Sequence, residues 1–240
     1  MRMRKKKNSS TRLALCEKYL YAHEGEPMAD PASVFGKSGA PVYLEIGAGK
    51  GRFACSMAQR HDDCCYFAME RVTDCVVLAA ERAASGEYGE LTNLRFLIDT
   101  ADNLMHLFGK GTVDTILLNF SDPWSKKGYA KRRLTHRRYL AVYMNLLRDG
   151  GVFISLIKPQ FEAGRAALGK NGVVHSSAYR FLAAKRVISF ACENGFDCYG
   201  LIRSPIEGGD GNKEYLAYFV KRECVTPRVD DKLIKRITAL

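Results

Sequence analysis

The sequence predicts an α/β fold built on a seven-stranded, mostly parallel sheet whose last strand runs antiparallel. Three observations carry this expectation. From Pro41 to about Lys221, short apolar runs alternate with amphipathic stretches of helical spacing, the pattern of strands covered by helices on both faces. A glycine-rich turn, Gly47–Gly51, directly follows the first apolar run. The last two runs have only turn residues between them, Ser204 to Asn212, which suits a hairpin and is too short for a helical crossover.

The expected strands are Val42–Ile46, Cys65–Met69, Leu94–Ile98, Val113–Phe120, Val152–Ile157, Cys198–Ile202 and Tyr215–Val220. Helical spacing falls on Phe53–Gln59, Thr73–Ala84, His136–Leu147 and Ala178–Glu193. Residues 1–40 read as a polar, basic, turn-rich arm with one short helix near Leu13–Tyr21, and residues 41–222 as the folded domain. Residues 223–240 read as a C-terminal tail, either a short appended helix or a frayed end. No internal repeat is visible. A chain of 240 residues, 47% hydrophobic, suits one globular domain with a sizeable core.

The formal net charge of +11 is concentrated in two places. Arg2, Arg4, Lys5, Lys6 and Lys7 crowd the start, and Lys126, Lys127, Lys131, Arg132, Arg133, Arg137 and Arg138 form a second cluster. Clustered cations suit a polyanion such as RNA, because each neutralised phosphate releases condensed counterions; two solvated surface patches are the plainer alternative. No run approaches the roughly 18 apolar residues of a spanning helix, and the basic start has no apolar stretch of a secretory signal after it. The eight cysteines show no CxxC pair and no zinc spacing, so no metal is expected. Several lie within apolar runs, where a reduced thiol packs as a small hydrophobe, and this fits a cytoplasmic location.

In Tyr43–Gly51, Y-L-E-I-G-A-G-K-G, the glycines let the backbone turn sharply and approach a ligand. A dinucleotide fingerprint would need a third small residue at Arg52. Glu45 sets a carboxylate beside the loop, which suits the cationic end of S-adenosylmethionine better than a diphosphate. Glu70 ends the second strand, where an acid accepts ribose hydroxyls, and Asp99, Thr100, Ala101 and Asp102 end the third, beside the expected adenine. Three ordinary strand-to-helix turns would leave the same pattern. At the end of the fourth run, Asn119, Ser121, Asp122 and Pro123 would face the methyl donor, while Trp124 either stacks on a base or packs.

Leu117–His136, L-L-N-F-S-D-P-W-S-K-K-G-Y-A-K-R-R-L-T-H, resembles the bacterial tRNA (guanine-N7)-methyltransferases of the TrmB type, as do the basic start and the glycine loop with Glu70. The resemblance covers about residues 1–151. It implies a class I S-adenosylmethionine-dependent methyltransferase of Rossmann-like fold, modifying a guanosine in the tRNA variable loop. It places Glu45, Gly47, Gly49, Glu70, Thr100 and Asp122 at the cofactor, with Asp122 also catalytic. It places Lys126 near the substrate and Gly128, Tyr129, Ala130, Lys131, Arg132 and Arg133 on the RNA, and Lys158 is a further candidate for binding substrate or RNA. Thr100 stands where that family carries Asp or Asn, so its contact is expected through the main chain.

Beyond Gly151 the pattern changes: Lys158 stands where the family's fifth-strand Asp is expected, and no T-x-Y-E segment occurs. Residues 152–221 resemble instead TlyA-type ribosomal RNA ribose 2′-O-methyltransferases, through I-K-P-Q-F-E-A-G-R, G-K-N-G-V-V and G-N-K-E-Y-L. Lys158 and Glu214 match two members of that family's Lys-Asp-Lys-Glu cluster, and an ion pair between them is the bland alternative. Both patterns share one fold type, so a join near Gly150–Gly151 preserves the sheet. The leading expectation is methylation of guanine N7 in tRNA by a monomer or homodimer. The alternatives are ribose methylation of ribosomal RNA and an RNA-binding, catalytically weak relative.

Overall fold

The computed structural model describes residues 7–119, 131–208, 211–222 and 228–240. The strands are β1 (Val42–Ile46), β2 (Cys65–Met69), β3 (Leu94–Leu97), β4 (Val113–Leu118), β5 (Leu147–Ile157), β6 (Phe196–Arg203) and β7 (Tyr215–Lys221). They form one seven-stranded sheet in the order β3-β2-β1-β4-β5-β7-β6. The chain divides into two compact units, Met1–Ser121 with Asn145–Arg148, and Asp122–Met144 with Asp149–Leu240.

In the first unit all strand pairings are parallel. β1 runs beside β2 from Val42↔Cys65 to Ile46↔Met69, β2 beside β3 from Tyr66↔Leu94, and β1 beside β4 from Tyr43↔Thr115. β1 and β2 lie where the apolar runs predict them, and β3 stops one residue short of the expected Ile98. The expected end of the fourth run, Phe120, lies outside the described residues. Helices α1 (Ser9–Ala14), α2 (Arg52–Arg60), α3 (Thr73–Ala84) and α4 (Leu104–Leu107) complete the unit. α3 matches its predicted range because Val76, Val77, Ala80 and Ala83 recur at helical spacing and are all buried.

Residues 8–40 pack on this unit. Tyr21 N–H donates to Phe96 O at 3.0 Å and Met28 N–H to Leu107 O at 3.0 Å. The Phe35 ring meets Phe67 edge-on at 5.0 Å, and the Arg12 guanidinium forks onto Glu81 of α3 at 2.6 and 2.7 Å. The helix expected near Leu13–Tyr21 is replaced by α1 and a 3-10 turn at Glu17–Tyr19. Helical spacing gives way here because Tyr19 and Cys16 are drawn into the core while Arg12 and Ser9 engage α3. Asn93 closes the turn from α2 into β2: its buried amide donates to the carbonyls of Ala58, His61 and Cys64 at 2.9–3.1 Å.

The second unit holds most of α5 (Arg137–Leu146) and of β5, with α6 (Pro159–Glu162), α7 (Ser177–Cys192), the β6–β7 hairpin and α8 (Asp231–Ala239). β7 runs antiparallel to β5, from Val152↔Val220 to Ile157↔Tyr215, and antiparallel to β6, from Phe196↔Lys221 to Arg203↔Tyr215. Phe153 anchors the core, with ring centroids 5.2, 5.6 and 5.5 Å from Phe196, Phe219 and Tyr143. Of the two states expected for the C-terminal segment, residues 231–239 take the helical one. The Asp230 carboxylate caps α8 at Leu233 N–H, 2.7 Å away, and Ile234 and Thr238 are buried. Arg180, itself buried, donates to the carbonyls of Thr238, Val174 and His175 and so ties α8 to α7.

Gly51, at the head of α2, has φ +71°, and a Cβ there would lie 2.6 Å from Ala79 Cβ and 3.0 Å from Ala79 Cα. An L side chain would meet both a left-handed backbone penalty and a clash with a neighbouring helix. Gly51→Ala is therefore expected to lower unfolding free energy by about 2–4 kcal/mol, read as a lower urea midpoint with unchanged slope.

Candidate functional site

β1, β2, β3 and β4 are parallel, so their C-terminal ends lie on one edge of the first unit, where open α/β sheets hold ligands. The turn after β1 is tied down at its start: Gly47 and Ala48 N–H both donate to Met69 O, at 2.8 and 3.0 Å. Gly47 (φ +85°) and Gly49 (φ +57°) hold left-handed conformations, and a Cβ on either would meet nothing within 4 Å. The backbone there faces open space, as a ligand cradle requires.

Glu70 braces this turn from the end of β2. Its Oε2 accepts Gly49 N–H at 3.0 Å and its Oε1 accepts Val72 N–H at 2.9 Å. Each carboxylate oxygen has a further lone pair, so Glu70 can accept the two hydroxyls of a ribose while holding the loop. At the end of β3, Asp99 Oδ1 accepts Thr100 N–H at 2.6 Å and Asn103 Nδ2 at 2.7 Å, and Thr100 O accepts Asn103 N–H at 3.0 Å. Both main-chain polar groups of Thr100 are engaged locally, so the main-chain contact expected of it competes with Asp99.

Glu45 lies deeper, 1% exposed. Its Oε2 accepts the Tyr66 hydroxyl at 3.1 Å and its Oε1 the Asn119 amide at 3.4 Å. Burial pushes its pKa from 4.5 up to about 7, against the opposing pull of these two donors, and the charge of Glu70 adds to the rise. Sequence reading named Glu45 and Asn119 but passed over Tyr66. The signal was present: in the β1–β2 register Glu45 stands opposite Ala68, so Tyr66 is its diagonal neighbour on the same face.

The second unit carries the other expected residues. Lys131 and Arg132 are exposed, whereas Arg133 turns inward. Its Nη1 reaches both Glu162 oxygens at 3.3 Å and its Nη2 donates to Phe161 O at 3.3 Å. Arg133, expected on RNA, thus fastens its loop to α6. Burial raises the Glu162 pKa, which the charges of Arg133 and Arg186 oppose. Burial, with Arg138, Lys131 and Arg137 nearby, lowers that of His136. The ion pair between Lys158 and Glu214, the plainer alternative to a catalytic cluster, is not formed: Glu214, 6% exposed, accepts Gln160 Nε2 at 2.7 Å. Gln160 Oε1 is buried and has no hydrogen-bond partner among the described residues. Asp122, Lys126, Gly128, Tyr129 and Ala130 lie outside the described residues. Among the described residues no group of three or more His, Cys, Asp or Glu could hold a metal, and no helix is long and apolar enough to cross a membrane.

A carboxyl whose folded pKa is raised stabilises the fold most when it is neutral. That contribution is complete below about pH 4.5 and is lost as pH rises through about 7. Glu45→Gln, which keeps a neutral form, is expected to raise the stability of the ligand-free protein at pH 8 by up to ~3 kcal/mol. At pH 4.5 the same substitution is expected to change little; urea titrations at the two pH values read the difference.

The family model described as "Putative methyltransferase" matches residues 39–156. A tRNA (guanine-N7)-methyltransferase of Mesoplasma florum is 35% identical over 156 residues, 63% of this chain and 70% of that protein. Across such relatives the chain spans between 51% and 79% of their length. A solved structure described as "Putative hemolysin from Streptococcus thermophilus" aligns over 90% of this chain and 75% of its own, with TM-score 0.64 and 25% identity. A Methanosarcina mazei S-adenosylmethionine-dependent methyltransferase shares the fold alone, with TM-score 0.52 and 16% identity over 76% of this chain and 92% of that one. On these likenesses, the chain has the class I methyltransferase fold and belongs to the tRNA (guanine-N7)-methyltransferase family.

Proposed function

We propose that this protein transfers a methyl group from S-adenosylmethionine to N7 of a guanosine in tRNA, and does so in the cytoplasm. The residues of the first unit fit the donor. The open backbone at Gly47 and Gly49 accommodates its amino-acid end, Glu70 has oxygens for the ribose hydroxyls, and Glu45 supplies negative charge to a cation. A diphosphate would be repelled by the same two carboxylates. When bound, the donor supplies a methyl group activated on a sulfonium.

The observation that favours a base nitrogen over a ribose hydroxyl is the engagement of Glu214 by Gln160. A hydroxyl must lose a proton before it attacks, and a lysine becomes a base only when its surroundings tune it. Lys158 does not have Glu214 as its partner. Guanine N7 carries a free lone pair and needs no base, so the protein's work is alignment.

In this reading Asp122 orients the guanine and offsets the positive charge that grows on its ring. Lys126, Gly128, Tyr129, Ala130, Lys131 and Arg132 hold phosphate and ribose, and Arg133 acts through its grip on Glu162. The test is transfer of tritiated methyl to unmodified tRNA, followed by identification of the labelled nucleoside. The expected product is 7-methylguanosine, with Asp122→Ala abolishing label and Lys158→Ala leaving more than half of it. Label on ribose, or on ribosomal RNA alone, would reject the proposal.

A further inference from the structure

We infer that cofactor binding releases a proton from Glu45, and that Tyr66 and Asn119 are the positioning residues that hold this carboxylate ready to ionise. The inference rests on the cofactor assignment above. It goes beyond it by giving the deepest group of the site a thermodynamic role and by bringing in Tyr66.

The geometry carries the argument. The Glu45 carboxylate is 1% exposed, and each of its oxygens has one donor: the Tyr66 hydroxyl at 3.1 Å on Oε2 and the Asn119 amide at 3.4 Å on Oε1. Tyr66 is itself fully buried on β2, and Asn119 is 7% exposed just past the end of β4, so neither donor has bulk water to turn to. Both are neutral. Burial and the charge of Glu45 hold the Tyr66 phenol well above its ordinary pKa, so it donates its proton without giving it up.

Among the described residues, the other titratable groups facing Glu45 are Glu70 from the end of β2 and Cys55 from α2. Glu70 opposes a second negative charge, and the Cys55 thiol is pushed up to about 12 by burial and stays neutral at physiological pH. Neither of these groups brings positive charge to Glu45, and a buried carboxylate without a cation takes up a proton. A cationic ligand supplies that compensation. Protonated Glu45 plus a cationic ligand becomes ionised Glu45 paired with the ligand, and one proton passes to solvent. By linkage, acid then weakens binding just as binding expels the proton.

Isothermal titration with S-adenosylmethionine, between pH 5.5 and 8.5 and in buffers of different ionisation enthalpy, reads this directly. The wild-type dissociation constant is expected to be nearly constant above about pH 7.5 and to rise toward tenfold per pH unit below about 6.5, with close to one proton released there. Titration of the ligand's own amine is common to all variants and cancels in their comparison. Tyr66→Phe keeps the ring in place and removes the donor. It is expected to move the break to higher pH and to weaken binding several-fold at pH 7, with convergence on wild type at pH 8.5. Glu45→Gln is expected to bind more weakly at pH 8.5 and to lose the acid dependence, and it decides the matter should Tyr66→Phe fail to fold. A wild-type affinity flat across this range, or an acid slope that persists in Glu45→Gln, would overturn the inference. If the cofactor binds without proton release and 7-methylguanosine still forms, this inference falls while the proposed function stands. If no cofactor binds at any pH, the proposed function falls first.

Discussion

A carboxylate buried at the end of a parallel strand costs free energy unless something answers its charge. Glu45 is in that position, and the geometry around it follows. Tyr66 reaches it across one strand of the sheet, and Asn119 reaches it from beyond the end of the strand on the other side. The glycine turn begins two residues later, with its first amides spent on Met69 O and a later one on Glu70. These contacts join β1, β2 and β4 at the edge where a ligand would lie, so the site and the framework are the same set of hydrogen bonds.

The second unit shows charge used in a different way. Seven cations crowd residues 126–138 of the sequence, and a cluster of this kind suits phosphate. Arg133, however, spends its guanidinium on Glu162 and the Phe161 carbonyl, which joins the basic loop to the short helix after β5. That helix follows Lys158 and carries Gln160, whose amide holds Glu214. A residue that reads as one more RNA contact is therefore a strut between the basic loop and the polar end of the β5–β7 pair. Gly208 is part of the same arrangement, since a Cβ there would fall 2.3 Å from Glu214 Oε1.

Much of this was legible in the sequence because parallel strands buried on both faces must be written as continuous apolar runs. Val42–Ile46 and Cys65–Met69 were read to the residue for that reason, and Thr73–Ala84 through its helical spacing. The sharp turn at Gly47 and Gly49 needed no structure either, since a left-handed backbone favours that residue type. The less regular elements were harder. The α1 and 3-10 turns before residue 20 follow from contacts with α3 rather than from periodicity, and α8 depends on the Asp230 cap and on Arg180 reaching it from α7.

The sequence by itself determined the order of strands and helices, the glycine turn with its acids, and the two family resemblances, because these are local patterns or direct matches of residues. Only the tertiary structure decided the partners. That Tyr66 meets Glu45, that Arg133 turns to Glu162, and that Glu214 goes to Gln160 rather than Lys158 are outcomes of strand register and side-chain competition over long sequence separations. A hydrogen bond has a range of about 3 Å, so which donor wins is fixed by the packed backbone and leaves no trace in the spacing of the residues themselves.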